Sequence, residues 1–166
     1  MQRKLLIAVL VLVAIVVAYL VLRGAKYANE RMKSPFKYFA WSEFDSPDAP
    51  GSGQAKMSEP FIRILDMIRE DVGFPLVVSS GYRTPAHNSD VRGVPDSAHT
   101  KGLAADIRAA TDAQKRAIAK AAIQRGIKRI GWGRTYIHLD MDASKPQSVV
   151  WGYSGGPSPP PFSALA

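Results

Sequence analysis

Ser97-Ala98-His99-Thr100-Lys101-Gly102-Leu103-Ala104-Ala105-Asp106 sets an imidazole and a carboxylate seven positions apart with a glycine between them, and Tyr136-Ile137-His138-Leu139-Asp140 supplies a second imidazole further on. Hydrolytic zinc centres commonly take three ligands of the histidine and carboxylate type and leave a fourth position for water. His99, Asp106 and His138 therefore make a candidate open zinc set. The one other histidine is His87. The chain has no cysteine, which excludes disulfides and thiolate metal sites.

The same two stretches read as strands. Leu103, Ala105 and Ile107 alternate with Ala104, Asp106 and Arg108, so a strand here buries the first set and turns Asp106 to the opposite face. In the second stretch Ile137 and Leu139 face one way, while Tyr136, His138 and Asp140 face the other. Between them Thr111-Asp112-Ala113-Gln114 is a capping box opening an alanine-rich helix that Gly126 closes. Upstream, Ser58 is an N-cap, Pro60 sits in the first turn, and Phe61, Ile64, Leu65 and Ile68 recur at helical spacing before Gly73. Leu76 to Ser80 is β-prone and leads into a Gly81-Tyr82-Arg83 turn. Periodicity thus predicts mixed helix and strand, with the topology left open.

The pattern S-x-H-x-x-G-x-A-x-D followed by a strand-borne histidine resembles the M15 family of zinc peptidases, the D-alanyl-D-alanine carboxypeptidase and phage endolysin group. Ser79-Ser80-Gly81-Tyr82-Arg83-Thr84-Pro85-Ala86-His87-Asn88 is similar to the family's S-G-Y-R-[ST]-P-x-H-N segment, and the resemblance covers roughly Ser58 to Tyr153. It implies an α+β fold of the hedgehog/DD-peptidase kind: a small antiparallel sheet backing a metal cleft, with flanking helices. It also implies Zn2+ held by His99, Asp106 and His138. Arg83 is then expected to grip a substrate carboxylate or the tetrahedral oxyanion, and Ser97 to hydrogen-bond the substrate. His87, in the Thr84–Asn88 turn, is expected to do structural or outer-sphere work. Well-known members carry an acidic residue three positions before the second histidine, where this chain has Thr135; one branch has H-x-D instead, which His138-Leu139-Asp140 resembles. Asp140 shares the face of His138 and is the expected general base; Asp142 lies further along that face.

Leu5 to Leu22 is an uninterrupted apolar run between Arg3-Lys4 and Arg23. As a helix it spans roughly 27 Å, close to a bilayer's hydrocarbon thickness. Its length, and the lack of a well-spaced small-residue cleavage site, favour an uncleaved signal anchor over a removed signal peptide. Arg23, Lys26, Arg31, Lys33 and Lys37 follow the run, and the positive-inside rule alone would keep the domain inside; the expected substrate places it on the periplasmic or outer side, or on a viral membrane. The predicted organisation is an anchor over 1–23, a linker over 24–56, a peptidase domain over 57–153 and a Pro-rich flexible tail over 154–166. The 22 Lys and Arg exceed the 14 Asp and Glu, giving a charge of +8 in 166 residues. That balance suits anionic wall polymers or lipid. The basic residues are scattered without aromatic interleaving, so no nucleic-acid partner is expected. The function implied is a membrane-anchored zinc metallopeptidase that hydrolyses amide bonds in peptidoglycan stem peptides or cross-links. The alternative is a catalytically inactive, zinc-stabilised wall-binding or structural membrane module, kept open by Thr135.

Overall fold

The computed structural model describes residues 2–32 and 34–166; Lys33, one of the basic residues after the apolar run, lies outside it. Helix α1 (Gln2–Met32) holds the apolar run, and its stretch Val9–Lys26 is long and apolar enough to cross a membrane, with none of it buried against the protein. The helix continues through residues 24–32, where linker was expected. That segment has no proline and is rich in Ala, Lys, Arg and Glu, all of which favour helix. Ser34-Pro35 follows, and a residue before proline is driven out of the α region.

The rest of the expected linker is core. Phe36, Phe39 and Phe44 are buried in one cluster with Phe61, Leu65 and Ile107, and the Phe39 and Phe44 rings meet edge to face at 5.5 Å. Burying such side chains stabilises by about 1.5–3 kcal/mol each, which outweighs the polar, turn-rich character of their neighbours. Asp66 fixes the segment by accepting the N–H groups of Lys37 and Tyr38 at 2.7 and 3.0 Å. The folded unit therefore begins before residue 57, and it includes the short helix α2 (Ser52–Lys56).

Helix α3 (Glu59–Val72) starts at the Ser58 cap, whose hydroxyl accepts from the Phe61 N–H, and stops at Gly73 in the left-handed region. Strand β1 (Val78–Ser80) leads to helix α4 (Pro85–Asp90), where a turn was expected. Thr84 caps it by accepting the His87 N–H, and proline sits in its first turn, where no N–H is needed. Strand β2 (Ala104–Arg108), helix α5 (Asp112–Gln124), with its Thr111/Gln114 capping box, and strands β3 (Arg129–Trp132), β4 (Tyr136–Asp140) and β5 (Val149–Gly152) complete the order.

The sheet runs β1-β2-β4-β3-β5 and is antiparallel except that β5 lies parallel to β3. One face carries Ala105, Ile107, Ile130, Trp132, Ile137 and Leu139 into the core with Phe61 and Leu65 of α3 and Ile118 and Ala122 of α5. On the other face the register aligns Asp106, His138, Gly131 and Trp151 in a row across β2, β4, β3 and β5. Asp140 and Arg129 occupy the next row. The tail also departs from expectation. A 3-10 turn over Phe162–Ala164 brings Leu165 into the core at 2 % exposure, and Pro159 packs over Gly152 at the β5 edge. A terminal leucine with an apolar cleft within reach overrides the disorder that proline and glycine content suggests.

Candidate metal centre

His99 stands on a 3-10 turn (Ala98–Lys101) between two devices. Ser97 caps its start, accepting the His99 N–H at 3.4 Å, and Gly102 ends it at φ +69°. A side chain at Gly102 would be strained by that angle and would overlap the Lys56 carbonyl. The H-x-x-G spacing is thus a turn followed by a close approach. Asp106 and His138 are register partners on β2 and β4, so pairing two strands brings the acidic ligand and the second imidazole together.

Each of the three side chains is oriented from behind. The His99 Nδ1 lies 2.6 Å from the Gly81 carbonyl, which can only accept, so Nδ1 carries the hydrogen and Nε2 keeps its lone pair. His138 Nε2 lies 3.1 Å from Asp140 Oδ2, a carboxylate on the ring edge opposite Nδ1. Asp106 Oδ2 accepts from Arg83 Nη2 at 2.6 Å. The three near atoms then converge: His99 Nε2 is 3.1 Å from His138 Nδ1 and 3.3 Å from Asp106 Oδ1, and His138 Nδ1 is 2.8 Å from that oxygen. N and O ligands held tetrahedrally at about 2.0–2.1 Å from one ion are separated by about 3.3 Å. Two imidazole nitrogens and a carboxylate oxygen, all buried, fit a metal of that kind.

The electrostatics agree with the donor set. Burial, the largest influence, lowers the His99 pKa and keeps the ring neutral despite Asp106. Burial would raise Asp106, but hydrogen bonds from His138 and His99 outweigh it and hold the carboxyl well below its usual range. Burial would likewise lower His138, yet Asp106 and Asp140, one at each nitrogen, raise it. Asp140 is drawn down against its burial by His138, the Asp142 backbone and Arg129.

The other expected residues fall around this triangle. Arg83 sits 3.3 Å from the His99 carbonyl through its N–H and donates Nε to Ser80 at 2.8 Å, so the S-G-Y-R stretch braces both Asp106 and the His99 turn. Gly81 is pressed against the Phe44 backbone, where a Cβ would not fit, and Tyr82 donates its N–H to the Phe44 carbonyl. Ser97 is buried as a turn cap. His87 lies on α4, apart from the cluster. Thr135 is exposed in the β3–β4 turn. Asp140 stands on the face of His138, as the H-x-D spacing put it; Arg129 Nε and the Asp142 N–H bind its Oδ1 at 2.8 and 3.0 Å, and its other oxygen faces His138 Nε2. Side chains at i and i+2 share a face, and the His138 ring turns Nδ1 to Asp106 and Nε2 to Asp140. Sequence periodicity had no means of choosing between the two nitrogens, nor of finding Arg129, whose partner is set by strand pairing.

A family model described as peptidase M15 matches residues 42–140. The chain belongs to the peptidase M15 family. Comparison with curated proteins gives no significant match. The match begins inside the segment expected to be linker, in keeping with the burial of Phe44, and ends at Asp140, so β5 of this M15 peptidase lies beyond it. All three candidate ligands and Arg83 fall within the match.

Proposed function

We propose that this M15 peptidase is a zinc enzyme, tethered by α1 to a membrane and facing the periplasmic or outer side, that hydrolyses amide bonds in peptidoglycan stem peptides or cross-links. The observation that carries the reading is the triangle of His99 Nε2, Asp106 Oδ1 and His138 Nδ1, each backed by its own partner. Zinc in an open three-ligand set supplies Lewis acidity, activating water near neutral pH and polarising an amide carbonyl. The protein's part is orientation. Gly81 and Asp140 set the ring tautomers and angles of His99 and His138, and Arg83 holds Asp106 so that one oxygen stays available. Among the described residues the side-chain hydrogen bonds of Arg83 use Nε and Nη2, which leaves Nη1 for a substrate carboxylate or the amide oxygen. Ser97 acts through His99 as the cap of its turn. Asp140 is a positioning residue in this scheme, in place of the base role anticipated from His138-Leu139-Asp140. The net positive charge favours the acidic polymers of a wall.

The test uses the full chain in detergent. It is expected to bind one zinc per chain and to release free amines from purified peptidoglycan, with defined muropeptides and mass analysis of products locating the bond. Zinc binding without any cleavage would instead support the silent wall-binding module that Thr135 keeps in view; no zinc at all would remove the mechanism.

A further inference from the structure

The sheet row beside the candidate metal centre is shaped around two phenols. Strand β3 and the residue after it place glycines at 131 and 133, alternate positions on the site face. A Cβ at Gly131 would lie 2.5 Å from Tyr153 Oη and 2.9 Å from His138 Cβ, and one at Gly133 would lie 2.5 Å from a Tyr136 ring carbon. The two glycines thus form a trough filled by the rings of Tyr136, from β4, and Tyr153, just past β5. Those rings are 5.4 Å apart. Trp151 closes the side of the trough, 5.5 Å from the His138 ring and 6.4 Å from the Tyr153 ring.

The Tyr153 hydroxyl itself lies over Gly131, in the space a Cβ would take, and so on the sheet face that carries His138. The Tyr153 ring packs between the rings of Tyr136 and Trp151, over the sheet row that carries Asp106 and His138. Tyr153 is 36 % exposed and Tyr136 half-buried, beside ligands that are themselves buried. Asp140 is turned to the back of His138 and position 135 is threonine, so neither position puts a carboxylate on the substrate side. A phenol, with an ordinary pKa of about 10, is a donor at neutral pH.

Building on the peptidase reading, we infer that the Tyr136–Tyr153 hydroxyl pair is a catalytic hydrogen-bond donor to the carbonyl oxygen of the peptide bond that is cut. Water adds across the amide: the C–N bond breaks, the hydroxyl ends on the acyl carbon and the proton on the amine. The phenols give a hydrogen bond that strengthens as the carbonyl oxygen gains negative charge, and they end the cycle unchanged. Tyr153 and Trp151 lie outside the matched residues 42–140, so this part of the site belongs to the chain's own C-terminal segment.

The experiment compares Tyr153→Phe, Tyr136→Phe and the double variant with the wild-type full chain, all zinc-loaded. Three quantities are read: zinc content, kcat and KM on a muropeptide the wild type cleaves, and calorimetric affinity for a phosphinic pseudopeptide whose tetrahedral anion imitates the developing charge. The expected result for the double variant is a kcat lower by about 100-fold, KM within about threefold, unchanged zinc, and phosphinate binding weakened at least about tenfold. Wild-type kcat and phosphinate affinity in the double variant would overturn the inference, as would a loss that tracks zinc content or melting temperature. A zinc-loaded wild type that neither cleaves nor binds the phosphinate would sink the peptidase reading and this inference with it, and is told apart by the wild-type arm.

Discussion

Replacing Asp140 by asparagine separates two roles for the same carboxylate. In the structure Asp140 Oδ2 faces His138 Nε2 at 3.1 Å and Oδ1 accepts from Arg129 Nε at 2.8 Å, with the Asp140 side chain 2 % exposed. Asparagine keeps the shape and one acceptor oxygen but removes the charge. Arg129 is then left with the Pro146 carbonyl and the face of Trp151. Deleting one partner of a buried ion pair costs about 3–5 kcal/mol; the retained acceptor reduces that, and a loss of about 1–3 kcal/mol in metal-free stability is expected. Loss of a carboxylate behind a ligand histidine typically weakens metal binding by about 10–100-fold, or about 1.4–2.7 kcal/mol. The assay is zinc competition against a chelator of known affinity, alongside denaturant unfolding of the metal-free chain and kcat at saturating zinc. Positioning predicts weaker zinc with kcat largely recovered once zinc is saturating. If Asp140→Asn keeps wild-type zinc affinity while kcat drops by about 100-fold or more, the carboxylate is moving a proton and the orientation argued here is wrong.

Three further perturbations follow from the same geometry. Gly102→Ala combines a φ of +69° with overlap of the Lys56 carbonyl; a destabilisation of about 3 kcal/mol or more is expected, with zinc affinity falling because His99 rides on that turn, and a melting temperature near wild type would count against the turn's role. Leu165→Ala tests the docked tail: the side chain is 2 % exposed, so a loss of about 2–4 kcal/mol is expected in chemical denaturation, whereas a flexible tail would give none. For Asp142, burial would raise the pKa, but hydrogen bonds from Lys101 and Ser144 outweigh it and lower it to about 2. From an unfolded value near 3.9 the carboxylate therefore contributes about 2 kcal/mol that is present above pH ~4 and lost as pH falls toward 2. Asp142→Asn should flatten that acid limb of the stability curve, and an unchanged limb would refute the assignment.

How much of this was legible in the chain follows from what each signal depends on. The caps at Ser58 and Thr111 and the alternation through Asp106 and His138 are local, and the elements they mark form as local chemistry dictates. The three candidate ligands stood out because histidine is rare here and the glycine spacing around His99 and Asp106 is tied to backbone needs at Gly81 and Gly102. What escaped depends on partners distant in sequence. Phe36, Phe39 and Phe44 fall in the stretch expected to be linker, and only α3 and the sheet give them a core to join. Leu165 gave no signal inside a proline-rich tail. β3 and β5 were hidden by glycines at 131, 133 and 152 that weaken a strand pattern; two of these make room for the rings of Tyr153 and Tyr136, and Gly152 packs under Pro159. Which nitrogen of His138 faces Asp140 is set by the ring's rotamer, and no periodicity carries that information.

Metal analysis of the full chain, with X-ray absorption at the zinc edge and His138→Ala as the comparison, bears most directly on the claim that these three side chains hold one ion. The account predicts one zinc per wild-type chain in a shell of two imidazole nitrogens, a carboxylate oxygen and one further light atom, and little or none in His138→Ala. Wild-type protein that binds no zinc after reconstitution, or a His138→Ala variant that keeps its zinc in an unchanged shell, would contradict it.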